Sequence, residues 1–167
     1  NDDVRPTTDR VKESVFNIIN GYVIESNVLD LFAGTGSLGI ECLSRGCNKC
    51  VFVDASKTSI EIVKSNIKKA RVEADSEVMN IDCKSAIDKL KARNESFDLI
   101  FMDPPYDQLL EKKVLEYLAN SELLSENAVI IVEASLDTEF DYLDELGFSI
   151  IKEKEYKTNK HMFIERV

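Results

Sequence analysis

The stretch VLDLFAGTGSLGIE, residues 28–41, joins an apolar run to a turn that contains three glycines. Gly34, Gly36 and Gly39 match the pattern G-x-G-x-x-G, which in dinucleotide-binding folds connects a strand to the following helix. The pattern lacks the G-K-[ST] ending of a P-loop, so it does not predict a site for nucleoside triphosphates. The stretch therefore predicts a strand, a tight turn and a helix.

Outward from this stretch, apolar runs of strand length alternate with segments of helical periodicity. One helix is predicted to begin after Thr7 or Thr8, and another runs from Ser56 to Arg71 with Ser56 as its N-cap. Seven strands are predicted, at residues 27–32, 49–54, 76–81, 97–102, 127–133, 148–156 and 161–167. This alternation predicts an α/β fold, a doubly wound and largely parallel sheet with helices on both faces.

The length and charge of the chain limit its class. Its 167 residues suit one domain, 1–167, and such a domain buries about two thirds of the surface of the unfolded chain. A formal net charge of −10 argues against a general nucleic-acid coat, because counterion release needs clustered Lys and Arg. No apolar run reaches the length of a membrane span and no signal peptide is recognised, so we expect a cytoplasmic protein.

Four cysteines and one histidine are the candidates for metal or redox chemistry. Cys47 and Cys50 form a CxxC pair, but a zinc site needs a second pair or nearby histidines, and His161 lies far along the chain. We therefore expect ordinary reduced thiols and no metal.

Acidic residues follow the predicted strands at the edge where doubly wound sheets bind ligands. Asp30 stands four positions before Gly34, where a carboxylate would repel a pyrophosphate but attract an ammonium group. S-adenosylmethionine has an amino group, a sulfonium and no phosphate, so it is the cofactor that this pattern favours. The alternative is that Asp30 only braces the glycine turn.

Two further acids extend the predicted cofactor site. Asp54 ends the second strand and can accept from both ribose hydroxyls; it can also help to cap the next helix. Asp82 can accept the adenine amino group while the N–H of Cys83 meets a ring nitrogen, although Asp82 is equally suited to be an N-cap.

The stretch FDLIFMDPPYDQ, residues 97–108, contains two of the three prolines. A single proline suffices to end a strand, and two in succession hold Asp103 and Pro104 extended. The Asp103 carboxylate and the Pro104 carbonyl can then accept both hydrogens of a planar nucleobase amine, with Pro105 fixing the turn. Tyr106 offers a face on which a flipped base can stack, worth about 1 to 3 kcal/mol.

Four segments in order carry a family resemblance: RPTTDRVKESVFNII (5–19), VLDLFAGTGSLGIECLSRG (28–46), VFVD (51–54) and FDLIFMDPPY (97–106). The chain resembles the RsmD-type ribosomal RNA guanine-N2 methyltransferases, which act on small-subunit (16S) RNA in bacteria. The resemblance implies a class I methyltransferase fold with strand order 3-2-1-4-5-7-6 and the last strand antiparallel. It implies S-adenosylmethionine as cofactor and Asp103, Pro104, Pro105 and Tyr106 as the catalytic loop. The predicted cofactor-binding residues are Asp30, Phe32, Ala33, Gly34, Gly36, Asp54, Asp82, Cys83 and Arg10, the last as a partner for the methionine carboxylate.

The predicted partner is 16S ribosomal RNA, within an assembled or assembling small subunit. The family usually has a short stretch before the RPT motif that helps to hold RNA, and we expect this domain to lack it or to contain only part of it. Residues 152–166 hold five Lys or Arg against three Glu, so this part of the chain is locally basic. The candidate phosphate contacts are Arg5, Lys12, Lys152, Lys154, Lys157 and Lys160. The alternative for the lysines is a solvated strand edge. We expect a monomer.

Two other functions remain open from the residues alone. One is methylation of DNA amines or of a protein glutamine, although no large target-recognition domain is present and protein-glutamine enzymes usually have Asn at the position of Asp103. The other is a non-catalytic dinucleotide-binding module, which Asp30 and the DPPY stretch disfavour.

Overall fold

The chain forms seven strands and six helices in the residues described by the computed structural model, which are 8–105 and 110–167. In order these are α1 (Asp9–Ile19), β1 (Asn27–Leu31), α2 (Ser37–Ser44), β2 (Lys49–Val53), α3 (Lys57–Ala70), β3 (Ser76–Met79), α4 (Cys83–Ala92), β4 (Phe97–Met102), α5 (Leu110–Leu118), β5 (Leu124–Ser135), α6 (Leu143–Leu146), β6 (Phe148–Glu155) and β7 (Asn159–Arg166). None of the helices in the described ranges has the length and apolar character needed to cross a membrane.

All seven strands form one sheet in the order β3-β2-β1-β4-β5-β7-β6. Strands β1 to β5 pair in parallel, and β7 is antiparallel to both of its neighbours, β5 and β6. The predicted α/β class, the strand order and the antiparallel β7 are therefore confirmed. This order is that of class I methyltransferases.

Helices cover both faces of the sheet, as predicted. On one face α1, α2 and α3 pack against buried side chains that include Phe52, Phe101 and Ile131. On the other face α4 and α5 pack against residues that include Leu29 and Ile100. The central strands β1, β2 and β4 are buried on both sides, which explains why their sequences read as nearly continuous apolar runs.

Three helices begin at a polar side chain that accepts a hydrogen bond from the first turn. Thr8 accepts from the N–H of Val11 at 3.2 Å, and Ser56 accepts from that of Ser59 at 3.2 Å, which confirms the predicted N-cap of α3. Asp82 caps α4. Each cap satisfies an N–H that the helix itself cannot pair, so the capped helices start at defined positions beside the sheet edge.

The register of the strands determines which residues lie side by side at the edge of the sheet where the site is. The final ladder positions of β1, β2, β4 and β5 lie side by side at Leu31, Val53, Met102 and Val132. The next residue of each strand therefore falls at the same level, and the β5–β7 ladder pairs Glu133 with His161. We call this set of residues the edge row: Asp54, Phe32, Asp103, Glu133 and His161. Because neighbouring strands lie about 4.8 Å apart, the row forms a continuous line of backbone positions along the sheet edge.

Candidate active site

The glycine turn between β1 and α2 follows a backbone path that few residues adopt. Phe32, Gly34 and Gly36 have φ values of 59°, 62° and 79°. This left-handed region is readily reached by glycine but is uncommon for an aromatic residue, so Phe32 is a strained position at the end of β1. Hydrogen bonds fix the turn, from the N–H of Ala33 to Val53 O at 2.9 Å and from that of Gly36 to Ala33 O at 2.8 Å.

Gly39, the third glycine of the motif, allows α2 to lie close to β2. A Cβ atom there would be 2.5 Å from Cε2 of Phe52 and 2.7 Å from Sγ of Cys50. Such distances are shorter than any real contact, so only glycine fits without a shift of the helix or the ring. The close approach holds the N-terminus of α2 against the sheet edge.

Asp30 is the buried acid of the site, with 4% of its surface exposed. Its Oδ2 accepts a hydrogen bond from the N–H of Gly39 at 3.3 Å, in the first turn of α2. Burial raises the pKa of the Asp30 carboxyl well above its usual range; the Gly39 N–H opposes this rise, whereas the charges of Asp103 and Asp54 add to it. Asp30 therefore braces the turn, and a cationic ligand bound beside it would favour its ionised form.

Asp54 joins the glycine turn to the start of α3. Its Oδ2 accepts from the N–H of Gly34 at 3.0 Å and its Oδ1 accepts from the N–H of Ser56 at 2.9 Å. Each carboxylate oxygen has more than one lone pair, so Asp54 retains capacity to accept from ribose hydroxyls. The two alternatives considered from the sequence, capping and ligand binding, are thus compatible in this side chain.

A cleft of about 760 Å³ runs along the carboxyl ends of β1, β2, β3 and β4. It brings together these predicted site residues: Phe32, Gly34, Asp54, Asp82, Cys83, Asp103, Pro104 and Pro105. This volume suits a cofactor-sized ligand. A smaller cavity on the side of β5 shares Phe32, Gly34 and Asp103 with the cleft and is also lined by Asp30, Ala33, Glu133 and His161.

The far end of the cleft contains Asp82 and Cys83. Asp82 accepts from the N–H and the hydroxyl of Ser85, both at 2.9 Å, and these hydrogen bonds lower the pKa of its carboxyl. Burial raises the pKa of the Cys83 thiol to about 12, so the thiol is neutral at physiological pH. Asp82 acts as the N-cap foreseen as one alternative, and its position in the cleft leaves the adenine-binding prediction open.

His161 is the functional candidate that sequence reasoning missed. From the sequence, His161 was considered only as a zinc ligand and was set aside because it lies far along the chain. The antiparallel course of β7 places His161 in the same cavity as Asp103, 1% exposed and with Nε2 3.4 Å from Glu133 Oε1. The only available signal was the alternation of His161 with Phe163, which puts both side chains on one face of a strand.

The predicted basic residues divide into several groups. Arg10 lies with Lys152 and Lys154 in a separate groove between α1 and β6, which Asp9 and Glu13 also line, so the structure does not bring Arg10 to the cofactor cleft. A prediction that Arg10 holds a cofactor carboxylate therefore has no support in the described geometry.

Lys160 and Lys12 were predicted to contact RNA phosphates, but both interact with other side chains of the protein. Lys160 is 8% exposed, its Nζ lies 3.7 Å from Glu153 and it sits over the ring of Phe140. The side chain of Lys160 on β7 therefore contacts other side chains of the protein and is largely shielded from solvent. Lys12 pairs with Glu41 at 3.5 Å, whereas Lys157 is exposed. Arg5 and Tyr106 lie outside the described residues.

All four cysteines are free thiols. Burial raises the pKa of Cys47 to about 11 and that of Cys50 well above its usual value, so this CxxC pair is held as neutral thiols. In residues 8–105 and 110–167, no group of three or more His, Cys, Asp or Glu side chains is placed to hold a metal ion.

Comparison with known proteins gives a consistent result. Residues 1–165 match the model of the family described as conserved hypothetical protein 95. YlbH of Bacillus subtilis is 40% identical over 151 residues, which cover 90% of this chain and 81% of YlbH. Ribosomal RNA small subunit methyltransferase D of Haemophilus influenzae is 36% identical over 154 residues, 90% of this chain and 77% of that protein. A solved structure of a conserved hypothetical protein from Streptococcus pyogenes superposes with a TM-score of 0.84 at 33% identity, over 92% of this chain and 94% of that one.

Proposed function

The chain belongs to the family described as conserved hypothetical protein 95, and on this premise we propose that it transfers a methyl group from S-adenosylmethionine to the N2 amine of a guanine in small-subunit ribosomal RNA. The name of the Haemophilus influenzae relative supports the RNA substrate. The observation that carries the proposal is the position of Asp103, directly after β4 and at the junction of the cleft and the smaller cavity, with Pro104 beside it in the cleft.

Residues of the cleft and of the smaller cavity fit S-adenosylmethionine. In the smaller cavity, the ammonium group of the ligand would favour the ionised form of Asp30, and in the cleft the Asp54 carboxylate suits the ribose hydroxyls. Asp82 and Cys83 would meet the adenine. When bound, this cofactor supplies an electrophilic methyl group, whose bond to sulfur breaks with the electron pair left on sulfur.

Asp103 and Pro104 bind and orient the amine of the nucleobase. The Asp103 carboxylate and the Pro104 carbonyl accept the two hydrogens of the exocyclic amine, which aims its nitrogen at the methyl group. The positive charge that grows on this nitrogen is stabilised by the same acceptors, and one amine proton then leaves to solvent. Pro104 is buried and Asp103 is exposed, so a fixed backbone presents an accessible carboxylate.

A dinucleotide-binding function is less compatible with the site. Asp30 accepts a hydrogen bond from the first turn of α2, so a carboxylate already occupies the helix N-terminus at which a pyrophosphate would bind. The two negative charges would repel each other in a buried setting.

The net charge of −10 favours an assembled or assembling small subunit as substrate over naked RNA. Lys152 and Lys154, in the groove beside α1, would contact phosphates there, although Asp9 and Glu13 reduce the attraction. We therefore expect the particle to be methylated faster than protein-free RNA.

The test is transfer of labelled methyl to small subunits from cells that lack this gene, followed by identification of the methylated nucleoside. We expect N2-methylguanosine. Asp103→Ala should reduce transfer by more than about 100-fold and change cofactor affinity only a few fold, since Asp103 faces the amine. The control variant Asp137→Ala, at an exposed position, should retain full activity.

Two results would contradict the proposal. One is tight binding of S-adenosylmethionine with no transfer to subunits or their RNA, which would direct the search to DNA or protein amines. The other is binding of NAD without binding of S-adenosylmethionine.

A further inference from the structure

Glu133 lies beside the proposed methyl-acceptor position and has no role in the function described so far. In the edge row it stands between Asp103 and His161, and its side chain lines the small cavity together with that of Asp103. A β5 residue at this level is one strand spacing, about 4.8 Å, from the acceptors at the end of β4. A base whose amine meets Asp103 therefore presents its neighbouring ring atoms toward Glu133.

A partly buried series of hydrogen bonds runs from the Glu133 carboxylate through His161 and Tyr156 to Ser14. Nε2 of His161 lies 3.4 Å from Glu133 Oε1, and Nδ1 lies 3.1 Å from the hydroxyl of Tyr156. The Tyr156 hydroxyl in turn lies 3.2 Å from Oγ of Ser14 on α1. His161 is 1% exposed, so these protein groups surround a ring that has little contact with water.

The protonation states of the His161 ring that suit these hydrogen bonds determine its role. An ionised carboxylate only accepts, so a favourable contact requires an N–H on Nε2. The neutral ring with its proton on Nε2 and the doubly protonated ring both meet this condition, whereas a proton on Nδ1 alone would set a lone pair against Glu133. In both allowed states His161 donates to Glu133, which makes it a positioning residue for that carboxylate.

We propose that Glu133 selects guanine by accepting a hydrogen bond from the ring N1–H that is adjacent to the N2 amine. This inference rests on the proposed function and names the residue that reads the substrate base. Guanine is the only common base in which the ring nitrogen beside the exocyclic amine carries a hydrogen. In adenine and cytosine the corresponding nitrogen is an acceptor.

The chemistry makes the selection strong. A carboxylate opposite N1 of adenine or N3 of cytosine would face a lone pair and lose its partner in a buried site, and both effects cost binding of the wrong base. Sites built to hydrogen-bond a substrate N–H reject analogues that lack it far more strongly than apolar pockets reject extra or missing methyl groups. Glu133 thus supplies discrimination that Asp103 and Pro104 cannot, since every amino base offers them the same two hydrogens.

The test uses 2-aminopurine, which keeps the N2 amine but has no hydrogen on N1. Once the methylated guanine has been located, small subunits are assembled with guanine or 2-aminopurine at that position, and single-turnover rates are measured. We expect the wild-type protein to favour guanine by at least about 100-fold. Glu133→Gln should reduce this preference to less than about tenfold, because the amide can donate to N1 of 2-aminopurine while any effect of the missing O6 stays constant.

Matched controls separate selection from stability. Glu165→Gln removes the same charge from an exposed position on the sheet and should keep the wild-type preference. If wild-type protein methylates 2-aminopurine as fast as guanine, or if Glu133→Gln slows both substrates equally, the inference is overturned. If wild-type protein methylates no guanine at all, the proposed function fails and this inference fails with it. The wild-type comparison remains decisive even if the variant does not fold.

Discussion

The carboxylate of Asp54 accepts a hydrogen bond from the backbone N–H of Gly34 at 3.0 Å, across 20 positions of sequence. The bond joins the end of β2 to the turn after β1, while the second oxygen of Asp54 accepts from Ser56 at the start of α3. One side chain therefore shapes the wall of the cleft and belongs to its proposed ribose site. A substitution here should affect both.

We expect Asp54→Ala to weaken binding of S-adenosylhomocysteine by about 10- to 100-fold, equivalent to about 1.4 to 2.8 kcal/mol. The loss has two causes, the missing ribose acceptor and a less ordered Gly34 turn. Isothermal titration calorimetry measures it directly, with Asp137→Ala as the exposed control. An unchanged dissociation constant for Asp54→Ala would remove Asp54 from the cofactor site.

The raised pKa of Asp30 predicts that this carboxyl lowers the stability of the cofactor-free protein although it strengthens cofactor binding. Because the folded protein binds this proton more tightly than the unfolded chain, the free energy of unfolding falls as pH rises from the ordinary carboxyl range through the raised pKa. Asp30→Asn should therefore raise the melting temperature of the cofactor-free protein, by about 2 to 8 °C for a gain of about 1 to 2 kcal/mol.

The gain should be larger at pH 8 than at pH 5, and affinity for S-adenosylmethionine should fall. Differential scanning fluorimetry at the two pH values, with and without cofactor, gives both quantities. A lower melting temperature for Asp30→Asn at pH 8 would show that the ionised carboxylate stabilises the fold, contrary to this argument.

Gly39 offers a test of close packing with a matched control in the same chain. Gly39→Ala would place a Cβ 2.5 Å from the Phe52 ring, so it should destabilise the protein by about 1 to 3 kcal/mol. Gly21→Ala places its Cβ in open space and should change stability by less than about 1 kcal/mol. Urea unfolding of the two variants compares them. Equal midpoints would mean that α2 can move away from β2 at little cost.

The hydroxyl of Tyr156 connects α1 to His161 and can be removed without changing the shape of the ring. Tyr156→Phe should lower stability by about 1 kcal/mol and speed amide hydrogen exchange in α1 around Ser14. Tyr22→Phe, at a half-exposed residue, should do neither. If exchange in α1 stays at the wild-type rate, the hydrogen bond does not anchor that helix.

Local patterns in the sequence predicted the seven strands and their alternation with helices, whereas the order of the strands in the sheet followed from the family resemblance. Strand β4 was predicted at its observed bounds, and β1 and β2 were predicted one residue too long, because Phe32 and Asp54 leave the ladder to enter the site. Strand β5 was predicted at 127–133 and runs from Leu124 to Ser135. Its start at Leu124 was missed because Ser125 and Glu126 are polar, and a pattern of apolar residues does not reveal a partly exposed segment.

Side-chain partners across the sheet could not be predicted in the same way. His161 and Lys160 occupy adjacent positions on β7, yet neither position matched its expectation: His161 reaches the site and Lys160 is buried beside Phe140. Both outcomes depend on the register between β5 and β7, which is set by packing over the whole sheet. A single sequence contains no direct record of such distant pairing.

The place of β7 inside the sheet has a consequence during protein synthesis. Residues 159–166 fill the position between β5 and β6, so β5 presents an unpaired edge until they have left the ribosome. Until β7 has been synthesised, a nascent chain therefore exposes an aggregation-prone strand, and chaperone protection would matter most in this interval. The nascent chain also lacks His161 during this interval, so its candidate active site is incomplete until β7 pairs with β5.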